Sequence, residues 1–364
     1  MSAKTQTKKI KEEVNFTGKE IYLGIDVHKK NWNVSVYLGD MFYQTFHQES
    51  DSKILHQYLQ HHFPGGNYKA CYEAGFCGFS VQRKLSSLGI DCIVVNPADV
   101  PQTVKGSLSK TDSVDSKRLG AALSKGFLTP IYVPDTVTEA DRQLIRYRKK
   151  IQQQIQSRRK SLKSALHVAG ILIPSEHDKP YFTNNFINWI KNLEVKEFSL
   201  KATLDMIVED VVYFRKRLLE VNKQIRQLSN TEKYVRMYGI LTSAPGIGLI
   251  TAMTILTEIG DIKRFGSFAK FNAFIGLHPS EFSSGEHIRK GRITPRGHSA
   301  IRPLIIEAAW IALRNDPAMA LKFSELISSG KTKKRTIIVI ARKLLSRIYS
   351  IWTHQQFYEK GLLK

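Results

Sequence analysis

The chain has 364 residues, too many for one ordinary core, so two or three domains are expected. Hydrophobic residues make up 42 %, which excludes wholesale disorder, and no run of eighteen apolar residues occurs, which excludes a helical membrane span. Lys and Arg number 55 against 32 Asp and Glu, and this net charge of +23 favours a polyanionic partner over a merely basic surface, because neutralised phosphates release their counterions.

Residues 1–19 read as a flexible basic tail; the charges of MSAKTQTKKIKEE are followed by no apolar segment, so no signal peptide is expected. Cys71, Cys77 and Cys92 form no CxxC pair, which argues against a zinc site or a disulfide framework. A cytoplasmic location is expected. IYLGIDVH and WNVSVYL read as strands joined by a short turn, the second with period-2 alternation at Trp32, Val34 and Val36. Further strands are predicted near Met41–Phe46, at Lys69–Glu73 and at Asp91–Val95, with helices over Ser52–His61 and Gly78–Leu88. Three consecutive strands followed by α/β alternation imply a mixed sheet flanked by helices. That order fits a ribonuclease-H-like fold better than a Rossmann fold, and neither GxGxxG nor GxxxxGK[ST] is present in this region.

Between residues 136 and 228 the pattern changes. Leu144, Ile151, Ile155, Leu162 and Leu166 step by 7 and 4, while Leu204, Ile207, Val211, Phe214, Leu218, Val221, Ile225 and Leu228 alternate 3 and 4. Two long helices carrying a heptad seam are predicted, separated by a connector at Pro174–Asn192, as an antiparallel hairpin, a dimer interface or both. From Arg142 to Lys163 there are nine Lys or Arg and no acid; Arg146, Lys149, Lys150, Arg158 and Arg159 are candidates for tracking a phosphate backbone. Residues 237–350 read as a mostly helical region containing APGIGLITAMTIL and a loop rich in Gly, Ser and Arg. From Glu286 to Lys364 there are sixteen Lys or Arg against five acids. The expected fold class is therefore α/β plus α. Its divisions are a tail at 1–19, a ribonuclease-H-like domain at 20–130, a helical coiled-coil region at 136–235, a last domain at 236–350 and a tail at 351–364.

Four carboxylates stand out by placement. Asp26 lies in an apolar strand, where an acid is costly. Glu73 ends a later strand. Asp112 and Asp115, in KTDSVDS, share one face if that segment opens a helix capped by Thr111. Clustered carboxylates repel unless a cation sits among them, and hard oxygen donors suit Mg²⁺ or Mn²⁺ acting on phosphorus. Asp112 and Asp115 alone read as helix N-terminal acids and Glu73 alone as a strand-end surface residue, whereas Asp26 has a weaker ordinary reading; the ordered set of four is the signal.

GIDVHK, YEAG, NPADV and KTDSVDS together resemble the N-terminal domain of the DEDD transposases of bacterial insertion sequences, the insertion-sequence one-ten family that includes the Piv-type pilin-gene invertases. The resemblance covers about residues 20–125 and 236–325. It implies a RuvC-like, ribonuclease-H-like domain whose magnesium-binding acids are Asp26, Glu73, Asp112 and Asp115. SAPGIG, FIGLHPSEFSSGEHIRKGRITPRGH and IRPLIIEAA are similar to the family's transposase domain, which implies a nucleophilic serine at Ser284, with Ser283 adjacent. It further implies a 5′-phosphoserine intermediate, a composite site of acids and serine, target and donor DNA chosen by a noncoding bridge RNA, and homodimers that pair into tetramers. Arg289, Lys290, Arg292, Arg296 and Arg302 suit phosphate contact around the serine. SAPGIG resembles a helix–hairpin–helix turn whose N–H groups can bind phosphate. His28, His278 and His298 are weaker candidates for proton transfer. Two other readings are a Holliday-junction nuclease that uses the acids and water, and a non-catalytic nucleic-acid-binding protein.

Overall fold

The computed structural model describes residues 15–101, 112–179, 182–281, 290–294 and 296–361. The chain divides into two compact units, Met1–Val133 and Pro134–Lys364.

The first unit is built on a five-stranded sheet of order β3-β2-β1-β4-β5. In chain order its elements are β1 (Glu20–Val27), β2 (Asn31–Leu38), β3 (Met41–Glu49), α1 (Ser52–His62), β4 (Asn67–Glu73), α2 (Ser80–Ser87), β5 (Asp91–Val95) and α3 (Asp112–Ser124). β1, β2 and β3 pair antiparallel, whereas β4 runs parallel to both β1 and β5, as in the mixed sheet expected. The strands are amphipathic in the strict period of two. Ile21, Leu23, Ile25, Trp32, Val34 and Val36 face one side, where they pack with Leu55 and Leu59 of α1 and Val81 and Leu85 of α2. The opposite side is covered by α3. Asp51 caps α1 by accepting from Lys53 N, while Thr111, the expected cap of α3, lies outside the described residues.

α3 approaches the sheet so closely that only glycine fits beneath it. A Cβ on Gly24 of β1 would stand 2.1 Å from the Ser116 carbonyl oxygen and 2.2 Å from Gly120 N. Gly120, in turn, meets the Tyr37 ring. The contact is pinned by Ser35 Oγ, 2.8 Å from Ser116 Oγ, by Tyr37 OH donating to Lys117 O at 3.0 Å, and by Cys71 Sγ donating to Leu119 O.

The second unit contains α4 (Thr136–Val168), α5 (Asn184–Lys191), α6 (Phe198–Ser229), α7 (Val235–Thr242), α8 (Leu249–Ile259), α9 (Phe268–Ile275), β6 (Pro279–Glu281), β7 (Lys290–Ile293), α10 (Ile301–Asn315), α11 (Pro317–Ser328) and α12 (Lys333–His354). α4 and α6 form the antiparallel hairpin: Arg148 of α4 bonds Asn222 of α6, and Arg158, ten residues later, bonds Asp210, twelve residues earlier. The heptad seam is consumed within the chain, with Ile151, Leu162 and Leu166 buried on α4 and Leu204, Val211, Val221 and Ile225 buried on α6.

Three expectations need correction. The connector at Pro174–Asn192 contains α5, which Thr183 caps and whose Phe186, Ile187 and Ile190 close a separate small core with Leu162, Leu166 and Leu204. No boundary falls at residue 235, because Ile145, Ile151, Val221 and Ile225 of the hairpin share one apolar cluster with α7–α12. Residues 351–361 of the expected tail at 351–364 are packed: Ile351 and Trp352 are buried on α12, and Tyr358 is buried beside Asp316 and Arg347, its hydroxyl donating to the Asp316 carboxylate. Among the described residues no helix is long and apolar enough to cross a membrane.

Candidate active site

The period-2 geometry that seats α3 also assembles the acids. Ser35, Gly24 and Cys71 are register neighbours on β2, β1 and β4, and all three face α3. Two residues further, on the same face, stand Asn33 and Asp26, which are register partners, and Glu73, which follows the last β4 residue paired with β1. Asp26 and Glu73 thus occupy the C-terminal ends of adjacent parallel strands. Asp115 lies on α3 one residue before Ser116, the residue bonded to Ser35. The acids come from three elements that are locked together, which is why residues far apart in sequence reach one place.

Their charges are already partly met. Arg118, one turn along α3 from Asp115, places Nη2 2.9 Å from Glu73 Oε1 and 3.2 Å from Asp115 Oδ1. His28 Nε2 stands 3.2 Å from Asp26 Oδ2. The carboxylate side chains are 31 % (Glu73), 23 % (Asp26) and 15 % (Asp115) exposed, so the cluster is shielded yet open to solvent. Sequence reasoning missed Arg118 and Asn33. Arg118 was signalled by its i+3 spacing from Asp115, and Asn33 by its place in the polar half of the WNVSVYL alternation.

Among the described residues, no group of three or more His, Cys, Asp or Glu is gathered tightly enough to hold an ion. Like-charged carboxylates separate and turn to cationic partners when no cation lies between them. The donor chemistry nevertheless fits a hard divalent cation: carboxylate oxygens from three elements, with the buried Oδ1 of Asn33 lacking a hydrogen-bond partner beside them. Asp112 begins α3.

Ser283, Ser284 and Arg289 lie outside the described residues. The strands on either side of them, β6 and β7, pair antiparallel in a two-stranded sheet, with Lys290 and Arg292 on β7. The base of this hairpin is tied down. Thr294 N donates to His278 O at 3.3 Å, and His298 N to Ile275 O at 3.2 Å. Gly276, at φ +80°, and Gly297 pass so closely that a Cβ on Gly276 would stand 2.7 Å from Gly297 Cα. Arg302 spends Nη1 on the backbone oxygens of Thr294, at 2.8 Å, and Gly276. It therefore clamps the hairpin rather than presenting that nitrogen to phosphate. Arg296 is exposed.

Beneath the hairpin base lies Glu258 of α8, 4 % exposed. It accepts from Arg146 Nε and Nη2 at 2.7 and 2.8 Å, and it has Arg142 Nε at 3.4 Å and His298 Nε2 at 3.5 Å. Burial pushes the Glu258 carboxyl pKa up, but hydrogen bonds from His298 and Arg146 and their charges outweigh this and bring it to about 2. His298 Nδ1 accepts from Ile301 N at 3.3 Å, so both ring nitrogens are engaged. Of the predicted basic contacts, Arg146 is thus held by Glu258, Arg158 by Asp210 at 2.6 Å, and Arg159 donates to Lys179 O at 2.7 Å. Lys149 and Lys150 are exposed on α4. SAPGIG forms the turn between α7 and α8, with Gly246 at φ +83° packed against the Ala308 carbonyl.

Two family profiles match the chain. A DEDD transposase profile of the IS110 type matches residues 23–170, and the profile described as "Transposase IS116/IS110/IS902 family" matches residues 238–324. The chain belongs to the IS110 family of DEDD transposases. Similar proteins include the transposase for insertion sequence element IS1533 of Leptospira borgpetersenii, 25 % identical over 95 % of this chain and 99 % of that one. A putative transposase, y4qE, of Sinorhizobium fredii is 29 % identical over 80 % of this chain and 72 % of its own length. The pilin gene-inverting protein of Moraxella bovis is 28 % identical over 46 % of this chain and 55 % of its own. This IS110-family transposase is accordingly a DNA recombinase, and its substrate is DNA.

Proposed function

We propose that this transposase cuts and rejoins DNA with a divalent cation, Mg²⁺ or Mn²⁺, held by Asp26, Glu73, Asp112 and Asp115, and with Ser284 as nucleophile. The observation that carries the reading is the convergence of Asp26, Glu73 and Asp115 at one end of the α3 face of the sheet. When bound, the cation supplies polarisation of the scissile phosphate and stabilises charge on the departing oxygen. Ser284 Oγ loses its proton to solvent and attacks phosphorus. An Oγ–P bond forms, the P–O3′ bond breaks, and the 3′ oxygen leaves as a hydroxyl after taking a proton. Attack of a 3′-hydroxyl on the 5′-phosphoserine reverses these changes and joins the new strand, with no outside energy source.

Arg118 balances Glu73 and Asp115 until the cation arrives. A noncoding bridge RNA selects the DNA, a role supported by the net charge of +23 and by exposed Lys149, Lys150 and Lys160 on α4. Arg289, Lys290, Arg292 and Arg296 contact the phosphates near Ser284. The active assembly is a homodimer that pairs into a tetramer; the exposed Met206, Val212, Tyr213 and Leu219 of α6 supply apolar surface for it. The protein works in the cytoplasm, on nucleoid DNA.

The test uses the protein with element-end DNA and flanks, and with the RNA transcribed from the element. Wild type with Mg²⁺ is expected to yield a covalent protein–DNA adduct that EDTA prevents. Asp26→Asn, Glu73→Gln and Asp115→Asn should each abolish it. Ser284→Ala should abolish it while leaving DNA and RNA binding intact. Cleavage by the wild type without any adduct would favour a water-using nuclease, and no magnesium-dependent cleavage would favour a binding protein.

A further inference from the structure

Asn33 is 3 % exposed, and its Oδ1 is buried without a hydrogen-bond partner. A carbonyl oxygen removed from water and left unpaired destabilises the fold. The neighbourhood is not loosely made. Ser35, two residues on and on the same face, bonds both Ser116 and Thr45 at 2.8 and 2.7 Å. The orphan oxygen therefore belongs to a well-satisfied layer, on the residue whose register partner is Asp26. Directly opposed residues of an antiparallel pair hold their Cβ atoms about 4.5–5.5 Å apart, within reach of one ion. On its other flank the register partner is His47 of β3, which is exposed. An unpaired amide oxygen on the same sheet face as carboxylates is stabilised when a cation stands between them. Magnesium and manganese take neutral amide oxygens together with carboxylates.

We propose that the Asn33 side-chain oxygen is a further ligand of the divalent cation, bound directly or through one water, added from β2 to the acids of β1, β4 and α3. The inference rests on the reading that those acids hold the cation. Asn33 contributes an oxygen donor without adding a further negative charge to the metal-free cluster, and it fixes the side of the ion that faces β2.

Mn²⁺ titrated into the full-length protein, followed by calorimetry and by the electron paramagnetic resonance of free Mn²⁺, tests this without DNA. Asn33→Leu is expected to weaken Mn²⁺ binding about tenfold, the effect typical of losing a supporting ligand. Its metal-free melting temperature should stay at or above that of wild type, since an unsatisfied buried polar atom has been removed. Asn33→Asp, which keeps an oxygen in place, should bind Mn²⁺ at least as tightly as wild type. Binding by Asn33→Leu within twofold of wild type, beside an Asp26→Asn control that has lost it, would overturn the role of Asn33 alone. Equal weakening in Asn33→Asp and Asn33→Leu would do the same. If Asp26→Asn bound Mn²⁺ like wild type, the acid-site reading itself would fall.

Discussion

Arg118 and Glu258 do comparable work in different units: each neutralises charge that its surroundings could not otherwise tolerate. Arg118 bridges Glu73 and Asp115. Removing it leaves shielded carboxylates facing one another, so Arg118→Gln should destabilise the metal-free first unit by about 1–2 kcal/mol. The same variant should show a larger rise in melting temperature on adding Mg²⁺ than wild type, because the cation then relieves repulsion that Arg118 had been relieving. An unchanged magnesium response would contradict this. Glu258 is tied to Arg146, Arg142 and His298. Its folded pKa of about 2 lies below the ordinary 4.5. A depressed carboxyl pKa adds stability that is fully present above about pH 4.5 and is lost as the pH falls toward 2. Glu258→Gln should therefore cost about 1–3 kcal/mol at neutral pH and flatten the acid limb of the stability profile. Urea unfolding of both proteins from pH 7 to pH 3 measures this; parallel profiles would count against it.

At the scale of elements, the contact of α3 with β1 decides whether a site exists. Gly24→Ala would drive a methyl group into the Ser116 carbonyl. Backbone lies on both sides, so no rotamer change relieves the overlap. The cost should be about 3 kcal/mol or more, and Asp115 should be displaced from Asp26 and Glu73. Metal-dependent cleavage should be lost even though every acid is intact. Gly89→Ala, at a turn where a Cβ meets nothing but φ is +79°, serves as the comparison: it should destabilise modestly and keep cleavage.

Much of this architecture was legible beforehand. The alternation of Trp32, Val34 and Val36 and the apolar runs at Lys69–Glu73 and Asp91–Val95 carry the strand signal in residues a few positions apart, so the sheet and its mixed order could be read. So could the hairpin of α4 and α6, whose seam repeats every three or four residues. α5 escaped because eight residues are too few to establish a period. The shared core of α4, α6 and α7–α12 escaped because Ile145 and Ile225 meet α7–α12 through contacts distant in sequence. At the site, Asp26 and Glu73 were visible as acids in apolar strands. Arg118 and Asn33 left only a spacing and an alternation as signals, because their importance comes from which face of α3 and β2 they occupy, and that follows only once α3 is seated on Gly24.

Over the whole molecule, the division at Val133 and Pro134 assigns the acids and the serine segment to separate compact units. Each unit has its own apolar cores. Scanning calorimetry should therefore resolve two transitions, with Gly24→Ala lowering one and Glu258→Gln lowering the other. A single transition shifted alike by both variants would contradict independent units. The excess positive charge makes nucleic-acid binding strongly salt-dependent, and affinity should fall steeply between about 50 and 200 mM salt.

The most direct test of the chemistry is to trap the strand-cleavage reaction on a nicked DNA whose released end diffuses away, digest the protein, and locate the nucleotide-bearing peptide by mass spectrometry. The expected product is a phosphodeoxynucleotide on Ser284, formed only with Mg²⁺ or Mn²⁺ and absent from the Asp26→Asn protein. Cleaved DNA with no modified peptide, or the nucleotide on any other residue, would contradict it.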